Sequence, residues 1–273
     1  KNKTIFKNSA MKKFLVIGNP IKHSLSPLLH NYWIKNNNIE AIYEKQKLTE
    51  NELEQLVFQI KEKKIKGINV TVPFKKAVIP FLDELSVEAK KTQSVNTIYL
   101  NNNKIIGHNT DIIGFETSIK KSNYDLHNKE VLILGAGGVV PSIIFALIKL
   151  KVSKIKISNR TKEKVENLKK LFKNIEIVEW GELPNFDMII NATSLGLKKE
   201  DKINLNFSSV SKNKFFYDVI YNPRETNFLK VGKNLGNMIL NGKMMFIYQA
   251  FSSFRIWHGI EPHINEDVIK LLD

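Results

Sequence analysis

Apolar residues in this chain come in short bursts of two different periods. Over "GINVTVPFKK" (residues 67–76), Ile68, Val70 and Val72 alternate with Asn69 and Thr71, the period-two pattern of a half-buried strand. Pro73 stops that ladder, because proline has no N–H to give. An amide, a hydroxyl and the ammonium of Lys75 therefore collect at the strand's end, and the next residue, Lys76, is expected to point into solvent. Around this stretch the pattern predicts strands over Phe14–Gly18, Tyr43–Lys47, Thr97–Leu100 and Lys104–Gly107. Helices are predicted between them, over Pro27–Lys35, Glu50–Glu62 and Ser86–Lys91. Ser26 reads as the N-cap of the first helix, with Pro27 at its first position.

A second unit begins near Asp111. Val131–Leu134 is apolar throughout, as a strand buried on both faces must be. Helix Val139–Leu150, strand Lys154–Ser158, helix Lys162–Phe172 and strands Ile175–Glu179, Met188–Asn191 and Phe215–Val219 follow. That is a βαβ series, and it predicts a parallel, doubly wound sheet. The chain closes with helix Met244–Arg255 and another from Asn265; Met245, Phe246, Phe251 and Phe254 are too many apolar residues for a free tail. The expected fold class is therefore α/β: a first α/β domain (1–111), a Rossmann-type nucleotide domain (112–241), and C-terminal helices (242–273) returning to the first domain.

Composition narrows the function. The 273 residues contain no cysteine, so disulfides and thiolate metal sites are excluded, and no metal is expected. No apolar run reaches the roughly 18 residues that span a bilayer. The basic start leads into Gly18-Asn19-Pro20 rather than a cleavage site, so residues 1–10 read as a polar overhang before Met11. A cytoplasmic protein is expected, without membrane partners. The net charge of +15 raises nucleic acid as a partner, but only Arg160, Arg224 and Arg255 among 42 basic residues are arginine. The lysines lie scattered among asparagines instead of forming a stripe, so a lysine-biased surface is the better account and no nucleic-acid partner is expected. The same charge attracts anionic metabolites.

"VLILGAGGVVPSIIFAL" is strand, glycine turn, helix. Gly135 and Gly137 fit the first two glycines of a dinucleotide fingerprint, followed by Gly138 and Val139; the third slot holds Val140, so the fingerprint is incomplete. A purely structural βα turn would carry the same residues, but the flanking strand and helix favour a dinucleotide. The end of the next strand selects the cofactor. "KISNRTKEK" has no acid before Glu163, where an NAD site wants one for the ribose hydroxyls. Asn159, Arg160 and Thr161 fall where a 2′-phosphate would sit, with Lys164 a turn further on. Arg160's planar fork suits a phosphate; the alternative is a helix cap with a solvated arginine.

The first domain holds a scattered set of polar residues: Ser24 and Ser26, Asn69, Thr71 and Lys75, Asn96, then Asn109, Thr110 and Asp111, and finally Gln249 on the apolar C-terminal helix. Each alone reads as a cap, a turn or surface. Together they place hydroxyls, amides, an ammonium and a carboxylate at strand ends and helix starts, where α/β proteins bind ligands.

From Gly18 to Gly259 the chain resembles the shikimate dehydrogenase family, in "GNPIKHSLSPLLHN", "GINVTVPFK", "VNTI", "GHNTDIIGF", "GAGG", "NRT", "NATSLG", "DVIYNPRET" and "GKMMFIYQA…F". Order and spacing match as well. The resemblance implies NADPH-dependent reduction of 3-dehydroshikimate to shikimate in a monomer or homodimer. It implies that Ser24 and Ser26 hold the substrate carboxylate, that Asn69, Thr71, Asn96, Asp111 and Gln249 bind ring hydroxyls with Tyr221 nearby, and that Lys75 beside Asp111 donates the proton. It places the cofactor on Gly135, Ala136, Gly137, Gly138, Val139, Asn159, Arg160, Thr161 and Lys164, with Ala192, Thr193, Gly242 and Met245. Two departures stand out: Val139-Val140-Pro141 replaces small, often basic residues, and Lys164 replaces a frequent arginine. The first bears on the pyrophosphate grip and the second weakens one phosphate contact. Two other readings are an NAD-preferring quinate/shikimate dehydrogenase, against which "SNRTKEK" speaks, and a non-catalytic dinucleotide sensor, which would not need Lys75 and Asp111 together.

Overall fold

The computed structural model of the protein describes residues 11–273; the expected overhang, 1–10, lies outside the described residues. The first sheet contains β1 (Lys12–Gly18), β2 (Ala41–Lys47), β3 (Gly67–Val70), β4 (Glu84–Leu85), β5 (Thr97–Asn101) and β6 (Lys104–His108), in the order β2-β1-β3-β5-β6-β4. It is mixed: β1 pairs in parallel with β2 and β3, whereas β5 runs antiparallel to β3 and β6. Helices α1 (Ser26–Asn36), α2 (Leu53–Lys61), α3 (Phe74–Ala77) and α4 (Val87–Thr92) connect its strands.

Strand β1 shows why its sequence is apolar without alternation. Leu15 and Ile17 pack with Leu53, Leu56 and Ile60 of α2 on one face. Phe14 and Val16 pack with Leu29 and Trp33 of α1 on the other, together with Ile247, Ala250 and Phe254 of α9 (Lys243–His258). Both faces are covered, and each such side chain contributes about 1.5–3 kcal/mol by leaving water. The last helix, α10 (Glu266–Lys270), adds Val268 to the same cluster.

Helix α5 (Asp111–Lys121) leads into the second sheet. Its strands β7 (Glu130–Leu134), β8 (Lys154–Ser158), β9 (Ile175–Val178), β10 (Met188–Asn191), β11 (Phe215–Asp218) and β12 (Met238–Leu240) lie in the order β12-β11-β10-β7-β8-β9. All of its pairings are parallel, and α6 (Val140–Lys149), α7 (Lys162–Leu171) and α8 (Asn227–Asn234) join them. The chain winds outward from β7 in one direction and from β10 in the other. The switch point lies between those two strands, where an open α/β sheet binds its ligand.

Several expected boundaries shift. Strand β3 stops at Val70, not Val72, and all four of its residues are buried instead of half of them. The cause is α9: a Cβ on Gly67 would lie 2.3 Å from the Trp257 indole, so a helix from the far end of the chain covers the second face. Ser26 is not the N-cap of α1. Leu25 occupies that position without a side-chain cap, and Ser26 is buried inside the helix start. Between Glu50 and Glu62 the helix divides into a 3₁₀ turn, Glu50–Glu52, and α2.

Candidate active site

A cleft of about 1300 Å³ runs between the two sheets' carboxyl edges. Lys75 and Asp111 sit at its floor. Lys75 rides on α3, the four-residue helix that follows Pro73, and its carbonyl accepts from Val95 N at 2.8 Å. Asp111 opens α5, where the Asn109 side chain accepts from the Asp111 amide at 3.0 Å. Two elements from different parts of the chain thereby bring Lys75 Nζ to 2.5 Å from Asp111 Oδ2, with both side chains largely buried. Asn96 Nδ2 donates to the other carboxylate oxygen at 3.1 Å, so the carboxylate is oriented from both sides. Lys76, on the same short helix, is exposed.

The remaining first-domain residues gather around this pair. Asn69, Thr71 and Asn96 line the cleft beside it, and Ser24 and Ser26 line it from the start of α1. Ser24 Oγ accepts from Ser26 N at 3.3 Å. Gln249, from α9, and Tyr221, from the loop after β11, complete the wall. Tyr221 stacks on Phe246 with ring centroids 4.6 Å apart, and burial pushes its phenol up to about 12. Gln249 reaches the cleft because α9 crosses α5 closely: a Cβ on Gly114 would lie 2.8 Å from Met245 O, so only a bare backbone fits there.

Opposite Lys75 stands the glycine turn. A Cβ on Gly138 would lie 3.8 Å from Lys75 Cδ, and Gly137, Gly138 and Val139 line the cleft. Gly135 has φ +109°, open to glycine alone, and a Cβ there would lie 2.7 Å from Ala192 O, so this turn nests against the turn after β10. Among the described residues, the amides of Ala136, Gly137, Gly138 and Val139 donate to no protein group. Free amides at the start of a ten-residue helix fit a pyrophosphate. Ala192, Thr193, Gly242 and Met245 line the same cleft.

Gly135, Ala136, Asn159, Arg160, Thr161 and Lys164 do not line it. The last four follow β8, the neighbouring strand, tied to the glycine turn through Gly135 N donating to Ser158 O at 2.8 Å. Arg160, Thr161 and Lys164 are exposed there. Arg160 has no hydrogen bond or ion pair among the described residues.

Sequence reasoning missed part of the layer behind the wall. Tyr43 hydroxyl donates to Asn69 Oδ1 at 2.7 Å, and burial raises its phenol well above the usual range. Thr97, Thr110 and Ser253 join the same cluster. Thr97 and Thr110 stand inside quoted motifs, but Tyr43 lies in a strand and Ser253 in an apolar helix, where nothing marks them. The cleft also takes in Ser194 and Gly196, inside the quoted "NATSLG", and Leu197, Lys198 and Lys199, which nothing in the sequence marks.

A mixed α/β domain facing a Rossmann-type domain, with an ammonium–carboxylate pair across from the dinucleotide turn, defines a two-domain nicotinamide-dependent oxidoreductase. Residues 16–98 match the model of the shikimate dehydrogenase substrate binding domain, and residues 117–231 that of shikimate / quinate 5-dehydrogenase. The chain belongs to the shikimate dehydrogenase family. It is 63% identical over 262 residues to the shikimate dehydrogenase (NADP(+)) of Pelagibacter ubique, covering 96% of this chain and 99% of that one. The crystal structure of shikimate dehydrogenase from Aquifex aeolicus matches with a TM-score of 0.88 at 38% identity, over 97% of this chain and 98% of that one. Shikimate 5-dehydrogenase from Thermus thermophilus, solved in complex with NADP(H) and shikimate, matches with a TM-score of 0.87 at 28% identity, over 96% and 98%.

Proposed function

We propose that this chain interconverts 3-dehydroshikimate and shikimate with NADP(H), with Lys75 and Asp111 as the catalytic pair. One observation carries the assignment of roles: Lys75 Nζ stands 2.5 Å from Asp111 Oδ2 at the floor of a cleft whose other wall is the glycine turn. The relatives named as NADP(+) enzymes support the cofactor and disfavour the NAD alternative.

The domain division follows: residues 1–111 with 242–273 hold substrate, and 112–241 hold NADP. The bound nicotinamide supplies a hydride to the ketone carbon. Lys75 holds a proton at Nζ, within reach of the ketone oxygen, and gives it up as that oxygen becomes a hydroxyl. Asp111 fixes the ammonium while Asn96 fixes Asp111; in the reverse direction the pair takes the hydroxyl proton. Ser24 and Ser26 hold the carboxylate through their hydroxyls. Asn69, Thr71, Asn96, Asp111 and Gln249 meet the ring hydroxyls, with Tyr221 nearby. The free amides of residues 136–139 take the pyrophosphate, with Gly135 shaping their turn, and Asn159, Arg160, Thr161 and Lys164 take the 2′-phosphate. Ala192, Thr193, Gly242 and Met245, which line the same cleft, would help hold the cofactor. A monomer or homodimer working in the cytoplasm completes the reading.

The test is steady-state turnover of 3-dehydroshikimate with NADPH and with NADH. NADPH is expected to be strongly preferred. Lys75→Ala should lower turnover by roughly two to four orders of magnitude, the worth of a positioned acid, while Lys76→Ala stays near wild type. A Lys75→Ala enzyme that keeps most of its activity while Lys76→Ala loses it would assign the proton to the wrong lysine.

A further inference from the structure

Behind the cleft wall, one hydroxyl joins three elements. Ser253, on α9, is fully buried and does not line the cleft. Its Oγ lies 3.0 Å from Asn69 Nδ2, 2.8 Å from Thr97 Oγ1 and 3.2 Å from Thr110 Oγ1, and it donates to Gln249 O at 3.1 Å. Asn69 is on β3, Thr97 on β5, and Thr110 immediately precedes Asp111.

The donor count around Asn69 is tight. Its Nδ2 has two N–H groups and three acceptors in reach: Asn96 O at 3.0 Å, Ser253 Oγ at 3.0 Å and Thr97 Oγ1 at 3.2 Å. Its Oδ1 accepts from Tyr43 at 2.7 Å. Both donors are spent inside the protein, and Oδ1 keeps one lone pair for the cleft. A tyrosine hydroxyl cannot fix the amide's orientation by itself, because it serves equally as donor and acceptor. Ser253 can, since its own proton goes to the Gln249 carbonyl and its oxygen is left to accept. Asn96 O is the other such acceptor, so each Asn69 N–H has one.

We propose that Ser253 is a positioning residue for substrate recognition: by accepting one Asn69 N–H it turns the amide so that Oδ1 faces the cleft and accepts from a substrate hydroxyl. This rests on Asn69 being a substrate-binding residue, as proposed above. It also links Asn69 to Gln249, since Ser253 bonds to the Gln249 carbonyl one turn back on the same helix. Without Ser253 that N–H is left with Thr97 Oγ1, the longer contact at 3.2 Å.

The experiment measures kcat, the KM for shikimate, the KM for NADP and thermal stability for wild type, Ser253→Ala and the neighbouring control Ser252→Ala. Ser253→Ala is expected to raise the shikimate KM by about five- to tenfold, the worth of a buried hydrogen bond, and to leave the NADP KM within about twofold. Ser252→Ala is expected to change neither. In an Asn69→Ala background, Ser253→Ala should add nothing further. Ser253→Cys, which keeps the side chain's shape at a slightly larger size but weakens the acceptor, should give the same selective rise if Ser253→Ala does not fold. An unchanged shikimate KM, equal losses for shikimate and NADP, or additive effects of Asn69→Ala and Ser253→Ala would each overturn the proposal. A wild-type chain without shikimate turnover would instead strike the functional reading beneath it.

Discussion

Arg160, like Asn159, Thr161 and Lys164 beside it, stands apart from the residues that line the cleft. It lies one strand away from the cleft, exposed, at the point where β8 meets the glycine turn. A 2′-phosphate is the only difference between the two nicotinamide cofactors, and among Arg160, Thr161 and Lys164 only the arginine offers a fork. A hydrogen bond to a charged group is worth about 1.5–3 kcal/mol, and exposure holds the effect near the lower end. Arg160→Ala should therefore raise the KM for NADPH about tenfold, leave that for NADH nearly alone and change saturated turnover little. Steady-state kinetics with both cofactors at fixed ionic strength checks this; equal losses would mean that Arg160 acts through adenine stacking or the fold. At this scale the sequence marked residue types well. An ammonium, a carboxylate and amides at strand ends gave Lys75, Asp111 and Asn96, which the fold brings together. It misread Ser26, because a serine before a proline satisfies the rule for a helix cap whether or not the helix starts one residue earlier. Tyr43 and Ser253 were illegible, since a strand tyrosine and a helix serine carry no mark of what they touch.

Among the elements, α9 has the most consequences. It covers the second face of β3, carries Gln249 to the cleft and crosses α5 at Gly114. Its start is equally tight: a Cβ on Gly242 would fall 2.0 Å from the Val219 carbonyl oxygen, a backbone atom that cannot swing away. Gly242 has an ordinary φ of −76°, so the constraint is space and not conformation. Gly242→Ala should cost about 1–3 kcal/mol, the usual range for overpacking, and lower the apparent Tm by several degrees. Differential scanning calorimetry reads this directly, and an unchanged Tm would show that the helix start can shift freely. The long helix α9 and the unbroken apolar run of β7 were visible from the pattern. Strand β12 and helix α8 were missed, because three and eight residues hold too little periodicity to stand out from loop. The end of β3 was misplaced because apolar alternation continues through Val72, while the ladder has a β5 partner only for Gly67 to Asn69.

For the whole molecule, buried His30 and half-buried His258 shape the response to acid. His30 is fully buried, stacks on Tyr43 at 4.2 Å, and has no hydrogen-bond partner among the described residues. Trp33, Phe254 and Trp257 enclose it, and His258 is the titratable group facing it. Burial, then repulsion from His258, lowers it to about 3; burial, then Lys12, lowers His258 to about 4. Below about pH 6.5 the unfolded chain takes up these protons and the folded chain does not, so their contribution is present above that pH and lost as pH falls. Asp218 works the other way, since burial raises it to about 6 and folding then favours its protonated form. His108, lowered by burial, and carboxylates held down by their partners, Glu116 despite its burial by Lys120 and Lys149 and Asp83 by the Ile105 amide, act in the same direction as His30 and His258, so acidification brings a net loss. Thermal unfolding from pH 7 to pH 4 should show Tm falling, and His30→Phe should flatten the slope; an identical slope would remove His30 from the account. What the sequence determined by itself was local and repetitive: strand and helix periods, the glycine turn and the residue types gathered at strand ends, because these depend on neighbours a few positions away. Only the tertiary structure decided that β3 is buried on both faces, that Lys75 and Asp111 touch, that Arg160 stands outside the cleft, and that Ser253 holds Asn69. Each of those depends on contacts between segments far apart in the chain, and such contacts follow from how whole surfaces pack.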